Sequence, residues 1–206
     1  MFNNSLADWI AIAIILLVSF PVHELAHAYA ADYYGDMTPR LNGRLTLNPL
    51  AHLEVWGSLM LILAGIGWAK PVPVNEIELM RRNPQAPMYV AAAGPLSNLA
   101  LALLGAIPVR LGLLQVNSFT GSVFYTFVGI NLLLLLFNLI PLFPLDGEKV
   151  LVHLLPSDLR VRMLGLRRYG ALPLIIALFI LPMLGIPVVG FLLGGPLNTL
   201  MRLLLG

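Results

Sequence analysis

A chain of 206 residues that is 59% hydrophobic and only 11% charged, with a mean hydropathy of +0.88, is not an ordinary soluble domain, in which about a quarter of the residues are charged. The net charge of +2 is small and dispersed over loops, which excludes a nucleic-acid-binding reading, and the absence of cysteine excludes disulfides and thiolate metal sites. The longest polar interval, 144–170, falls well short of the roughly 50 residues a small domain needs, so residues 1–206 are expected to form a single membrane domain.

The first apolar run covers residues 6–34, with Trp9 at one end and Tyr29, Tyr33 and Tyr34 at the other, as an interfacial aromatic belt predicts. Near its far end stands His23-Glu24-Leu25-Ala26-His27, the pattern H-E-x-x-H. On a helix the two imidazoles, four residues apart, share one face and can grip one Zn²⁺, while Glu24 lies about 100° round the turn, where a general base is needed. Two protein ligands leave a catalytic zinc under-coordinated, so a third is required elsewhere in the chain. At about 1.5 Å per residue the motif sits roughly 9 to 15 Å below the interface. Each ionisable group at such depth costs roughly 2.5 to 3.5 kcal/mol on insertion scales, which favours function over incidental packing. Pro21 deprives the Leu17 carbonyl of its helical partner and is expected to kink the helix just before the motif. The run lacks a basic leader and carries the motif, so it is not expected to be a cleaved signal peptide.

In 40–47 the Asn42-Gly43 pair lies between short alternating segments, which predicts a small β-hairpin near the active site, with an edge strand that an extended peptide could join. His52 follows, a candidate to touch the site. The apolar run 55–69 is too short as a helix to cross a core near 30 Å and reads as a re-entrant segment. Residues 88–114 form a span that contains Gly94-Pro95-Leu96-Ser97-Asn98, which either breaks the helix or lets a neighbour pack closely; Asn98 is a candidate site residue. The next span starts near residue 121 and ends in Asn138-Leu139-Ile140-Pro141-Leu142-Phe143-Pro144-Leu145-Asp146-Gly147, where the prolines unwind the helix and Gly147 permits a sharp turn. Few other acids sit at membrane depth, so Asp146 is the expected third ligand. A basic loop with Lys149, Arg160, Arg162, Arg167 and Arg168 comes next, and His153 in it reads as structural. Residues 172–205 make one long span or two shorter segments.

For His23, His27 and Asp146 to meet, an even number of crossings must separate them, which again makes 55–69 re-entrant. The intervals 32–54, 70–87 and 144–170 then share a side and hold ten of the twelve Lys and Arg residues, so that side and the metal site are expected to face the cytoplasm. The expected fold is an all-α multi-pass membrane protein of about five to six transmembrane helices in the cell membrane.

These residues together resemble the site-2 protease family of intramembrane zinc metalloproteases, through HELAH at 23–27, the Asn138-x-x-Pro141-x-x-Pro144-Leu145-Asp146-Gly147 pattern, and Gly94-Pro95-Leu96-Ser97-Asn98 in that order. The resemblance implies one Zn²⁺ per chain on His23, His27 and Asp146, Glu24 as base, Asn138 near the substrate carbonyl or scissile strand, and cleavage of a transmembrane protein substrate within the lipid bilayer near the cytoplasmic side. Larger members carry an inserted PDZ domain that has no counterpart in this sequence, so gating by one is not expected. Two other classes stay open at this point, a zinc or proton transporter and a non-catalytic zinc-binding scaffold. Glu24 in a non-ligand position and the lack of a clear internal repeat speak against the transporter. Substrate identity and oligomeric state are not legible.

Overall fold

The computed structural model describes residues 6–64 and 67–206. Gly65 and Ile66, part of the expected re-entrant segment, lie outside the described residues. About three-quarters of the chain is helical, as lipid requires of segments that must satisfy their backbone polar groups within each crossing.

The first run forms α1 (Leu6–Ile14), one π-helical turn (Ile15–Ser19) and α2 (Phe20–Tyr33). The π turn falls where a kink was expected: the Phe20 N–H bonds to the Ile15 carbonyl, five residues back, just before Pro21, which has no N–H to offer Leu17.

The predicted hairpin does not form. Thr38–Leu41 makes a one-turn helix, α3, with Pro39 in its first turn and the Asp36 carboxylate accepting the Thr38 N–H at 2.9 Å. Gly43, at φ +65°, then ends it in a Schellman motif, in which the Gly43 N–H reaches the Arg40 carbonyl and the Arg44 N–H reaches that of Pro39. The Asn-Gly pair thus supplies a helix C-terminus instead of a strand turn. The Arg40 guanidinium is held above its ordinary pKa by hydrogen bonding to Asp32, at 2.8 and 2.6 Å. Among the described residues the only β-pairing is one antiparallel bridge between Leu53 and Ala69.

That bridge makes the next segment re-entrant. The helix α4 (Val55–Ala64) is about 15 Å long, half a bilayer core, and the chain returns so closely that the Lys70 N–H bonds to the His52 carbonyl at 2.7 Å. A side chain at Gly57 would collide with the Trp68 backbone, so the glycine allows the two limbs to touch. After an extended stretch come α5 (Glu76–Arg82), α6 (Ala86–Arg110) and α7 (Phe119–Asn138). Helix α6 runs unbroken through Gly94 and Pro95, so close packing, and not a helix break, is what the small residues provide.

Beyond α7 lie α8 (Asp146–Leu154), α9 (Ser157–Leu166), α10 (Leu172–Ile175), α11 (Leu181–Met183) and α12 (Val188–Leu205). Gly185, at φ +80°, and Pro187 separate α11 from α12, so the C-terminal region is two segments. Among the described residues four helices are long and apolar enough to cross a membrane, Ile12–Tyr33, Ala86–Arg110, Phe119–Asn138 and Val188–Leu205. A fifth arises if Ser157–Tyr169 and Leu172–Met183, which meet at 75°, count as one broken span.

The core is shared by α6, α7 and α12: Ala102 and Ala106 pack on Val128, Leu132 and Leu135, with Leu197 and Met201 closing the far side. Gly105 lets α7 approach, since a Cβ there would lie 2.7 Å from the Phe127 ring. The polar intervals are tied to one another on a single side. Arg44, buried, donates to the carbonyls of Ala51, Lys70 and Pro71; the Asn75 N–H donates to Asp36 at 2.6 Å; and Lys149 pairs with Glu76 at 3.5 Å.

Candidate metal centre

Helices α2 and α6 run against each other so that Val90, Gly94 and Asn98, one stripe of α6, face His27 and His23. His27 Nδ1 bonds to the Val90 carbonyl at 2.7 Å, and His23 Nδ1 to Asn98 Oδ1 at 2.7 Å. Gly94 lies between the two rings, where a Cβ would strike both. A carbonyl only accepts, so Nδ1 of His27 carries the hydrogen and a neutral His27 presents a bare lone pair at Nε2.

Asp146 reaches these rings because α7 cannot continue past Asn138 into Pro141 and Pro144, and the chain turns back through 139–145 to start α8 at the aspartate itself. Gly147 is not a left-handed turn residue; it sits inside α8, and a Cβ on it would collide with the Leu139 and Ile140 carbonyls. Its bareness seats the start of α8 under the end of α7.

Asp146 Oδ2 stands 3.3 Å from His23 Nε2 and 3.2 Å from His27 Nε2, and the two Nε2 atoms are 3.0 Å apart. Oδ2 is buried and has no hydrogen-bond donor. Two ligands bound at about 2.1 Å with a tetrahedral angle lie roughly 3.4 Å apart, so the spacing matches three corners of a tetrahedral zinc site. Three ligand atoms converging on one point could hold a metal ion, and two imidazoles with one carboxylate suit zinc. The three residues face a cavity of about 360 Å³.

Glu24, His23, His27 and Asp146 line that cavity together with Val72, Val74 and Asn138. Glu24 Oε2 accepts the Val72 N–H at 3.1 Å, so the extended stretch after the re-entrant segment holds the carboxylate in place. Asn138 uses one amide hydrogen on the Leu134 carbonyl at 3.0 Å and is half-buried in the wall. The other two sequence candidates do not reach the cavity. Asn98 is wholly buried behind His23, and His52 is wholly buried with Nε2 on the Thr46 carbonyl at 2.7 Å, where it fixes its own loop. Sequence reading missed Asn131, a fully buried amide in α7 that bonds to Asn98; its only signal is a lone polar residue in an apolar run. It also missed the main-chain groups of Val90 and Val72, which no side-chain pattern reveals.

Comparison with known proteins bears on the same residues. Over 179 residues the chain is 40% identical to YwhC of Bacillus subtilis, a candidate zinc metalloprotease, and the match covers 84% of this chain and 81% of YwhC. The chain belongs to the site-2 protease-like family of zinc metalloproteases. Within this family it is also 33% identical over 174 residues to Rip2 of Mycobacterium tuberculosis, likewise a candidate zinc metalloprotease, and 30% identical over 149 residues to the zinc metalloprotease MJ0392 of Methanocaldococcus jannaschii. Those matches cover 82% and 72% of this chain, 66% of Rip2 and 35% of MJ0392, so both relatives extend well beyond the shared part. No family model matches the chain, and no solved structure does. The site-2 protease-like membership brings zinc as the metal and agrees with the donor set described above. With four to five apolar helices among the described residues, the protein is a multi-pass membrane metalloprotease.

Proposed function

We propose that this chain hydrolyses a peptide bond within a transmembrane segment of a membrane-protein substrate, near the cytoplasmic face of the cell membrane, with residues 1–206 acting as one catalytic unit. The observation that carries the reading is the convergence of the His23, His27 and Asp146 donor atoms at tetrahedral spacing, on the wall of a cavity that Glu24 also lines. In this reading His23, His27 and Asp146 hold the zinc and Glu24 is the general base. The cytoplasmic assignment rests on the basic intervals, which lie on the side toward which the ends of α2 and α7 point.

Zinc, when bound, would supply a Lewis acid that polarises the scissile carbonyl and acidifies the attacking water. Glu24 has one oxygen engaged by the Val72 N–H, which leaves the other free to take a proton from the attacking water. The same carboxylate then gives that proton to the leaving amine, so one water is consumed and one amide becomes a carboxylate and an amine. Asn138, with amide hydrogen capacity left over, is suited to bind a substrate carbonyl. The half-exposed Lys149 and Glu76 on the cavity wall give water a polar approach.

The decisive experiment compares membranes that carry the protein with membranes that carry Glu24→Gln. Intact substrates should accumulate in the variant while its zinc content stays at that of the parent. Equal cleavage by both proteins removes Glu24 from the chemistry, and zinc flux into sealed vesicles without cleavage supports a transporter instead.

A further inference from the structure

Asn131 lies in the middle of α7, fully buried, and its amide is part of a directed chain. Its Nδ2 donates to the Phe127 carbonyl at 2.9 Å; its Oδ1 accepts from Asn98 Nδ2 at 3.1 Å; and Asn98 Oδ1, also fully buried, meets His23 Nδ1 at 2.7 Å. The far end is a main-chain carbonyl, which has no proton to give. Rotating the Asn131 amide would set oxygen against oxygen in a site closed to solvent, so its order is fixed. That order runs on. Asn98 must turn Nδ2 toward Asn131 and Oδ1 toward His23, so His23 Nδ1 must be the donor and, in the neutral ring, Nε2 is bare.

We infer that Asn98 and Asn131 are positioning residues that lock His23 in the tautomer whose Nε2 is free to bind metal. The inference rests on the reading of His23 as a metal ligand. His27 needs no such relay, because the Val90 carbonyl already fixes its Nδ1 as donor. An amide alone cannot do for His23 what a carbonyl does for His27, since an unanchored amide can rotate and offer Nδ2 to the ring, which stabilises the tautomer with hydrogen on Nε2. Asn131 removes that alternative. The partner that orients a metal-bound imidazole typically contributes about 10- to 100-fold in metal affinity.

The test is metal affinity of the purified protein after metal is stripped, titrated with Zn²⁺ against a chromophoric chelator and with Co²⁺ by its absorption bands. Asn131→Leu should bind Zn²⁺ about 10- to 100-fold more weakly than the parent. Asn131→Thr, whose hydroxyl donates to the Phe127 carbonyl and accepts from Asn98, keeps the order and should stay within a few-fold of the parent, which also guards against a Leu variant that fails to fold. Asn98→Asp presents only acceptors to His23, so adding it to Asn131→Leu should restore binding. A merely structural role for Asn131 expects the opposite, because the double variant leaves a carboxylate oxygen buried without a donor. Parent-like binding by Asn131→Leu, or no recovery in the double variant, overturns the inference. Parent-like zinc binding by His23→Ala instead overturns the ligand assignment beneath it.

Discussion

Gly94→Ala should weaken metal binding more than it weakens the fold, because the added methyl strikes both ligand rings directly. The added Cβ would lie 2.5 Å from His27 Cε1 and 2.6 Å from His23 Cε1, whereas carbon atoms in good contact sit about 3.5 to 4.0 Å apart. The imidazoles must therefore retreat by roughly 1 Å, against a tolerance at a metal of about 0.2 Å. Ligands held out of place in this way typically lose about 10- to 100-fold in metal affinity, or about 1.4 to 2.7 kcal/mol. The α6 helix gains up to about 1 kcal/mol in propensity from alanine in place of glycine, but crowding the two buried rings costs about 1 to 3 kcal/mol, so the metal-free protein should also melt lower. Chelator competition measures the first effect and thermal melting of the metal-free protein the second. Gly129→Ala is the control, since its Cβ would meet only the flexible end of Met201, at 3.4 Å. If Gly94→Ala binds zinc as tightly as the parent, the rings are not held against α6 and the geometry of the centre is wrong.

Other substitutions probe the supports of the site. Arg167→Met strips the bidentate partner, at 2.9 and 2.8 Å, from the buried Glu148 carboxylate and should cost about 3 kcal/mol, read as a lower melting temperature; the double variant with Glu148→Gln should recover most of it, and an unchanged melting point for the single variant refutes the coupling. Gly147→Ala presses on the Leu139 and Ile140 carbonyls and should move Asp146 off the centre, so zinc content is expected to fall as in Asp146→Ala while helicity persists; full zinc content would show that α8 has room to shift. Removing zinc with a chelator should abolish cleavage and leave the helical circular dichroism unchanged, because α6, α7 and α12 pack without the metal; re-addition should restore activity. Glu24→Gln should keep its zinc and lose about 10²- to 10⁴-fold in cleavage rate, measured on a tagged transmembrane substrate.

What was legible in the sequence follows from where the constraints are local. His23, Glu24 and His27 lie on one helical turn, so their spacing alone sets their relation. Asp146 is distant in sequence, yet the need for a third ligand, the scarcity of acids at depth and the count of crossings all point to it, and the fold brings it within 3.3 Å of both rings. The short run at 55–69 had to turn back because its length does not span a bilayer, and the Leu53–Ala69 bridge is the form that return takes.

The misread places are those where one local signal fits two structures. Asn42-Gly43 suits a hairpin turn and a helix C-terminus equally, and Asp36, which accepts the Thr38 N–H, and Pro39 in the first turn tip it toward the helix. Gly94 and Gly147 read as a possible break and a turn, but both are points of close approach, which depends on a neighbour that the sequence does not name. Asn98, a candidate for substrate binding from the sequence, lies one layer back from the cavity, bonded to His23. Asn131, a lone polar residue in an apolar run, was passed over for lack of a motif around it.

X-ray absorption at the zinc edge, on the purified protein and on its His23→Ala and Asp146→Ala variants, tests the central claim most directly. The account expects one zinc per chain with two imidazole nitrogens at about 2.0 to 2.1 Å and oxygen in the remaining positions, with one imidazole or the carboxylate lost in the corresponding variant or the metal lost altogether. A spectrum and a zinc content that stay the same in both variants would contradict it.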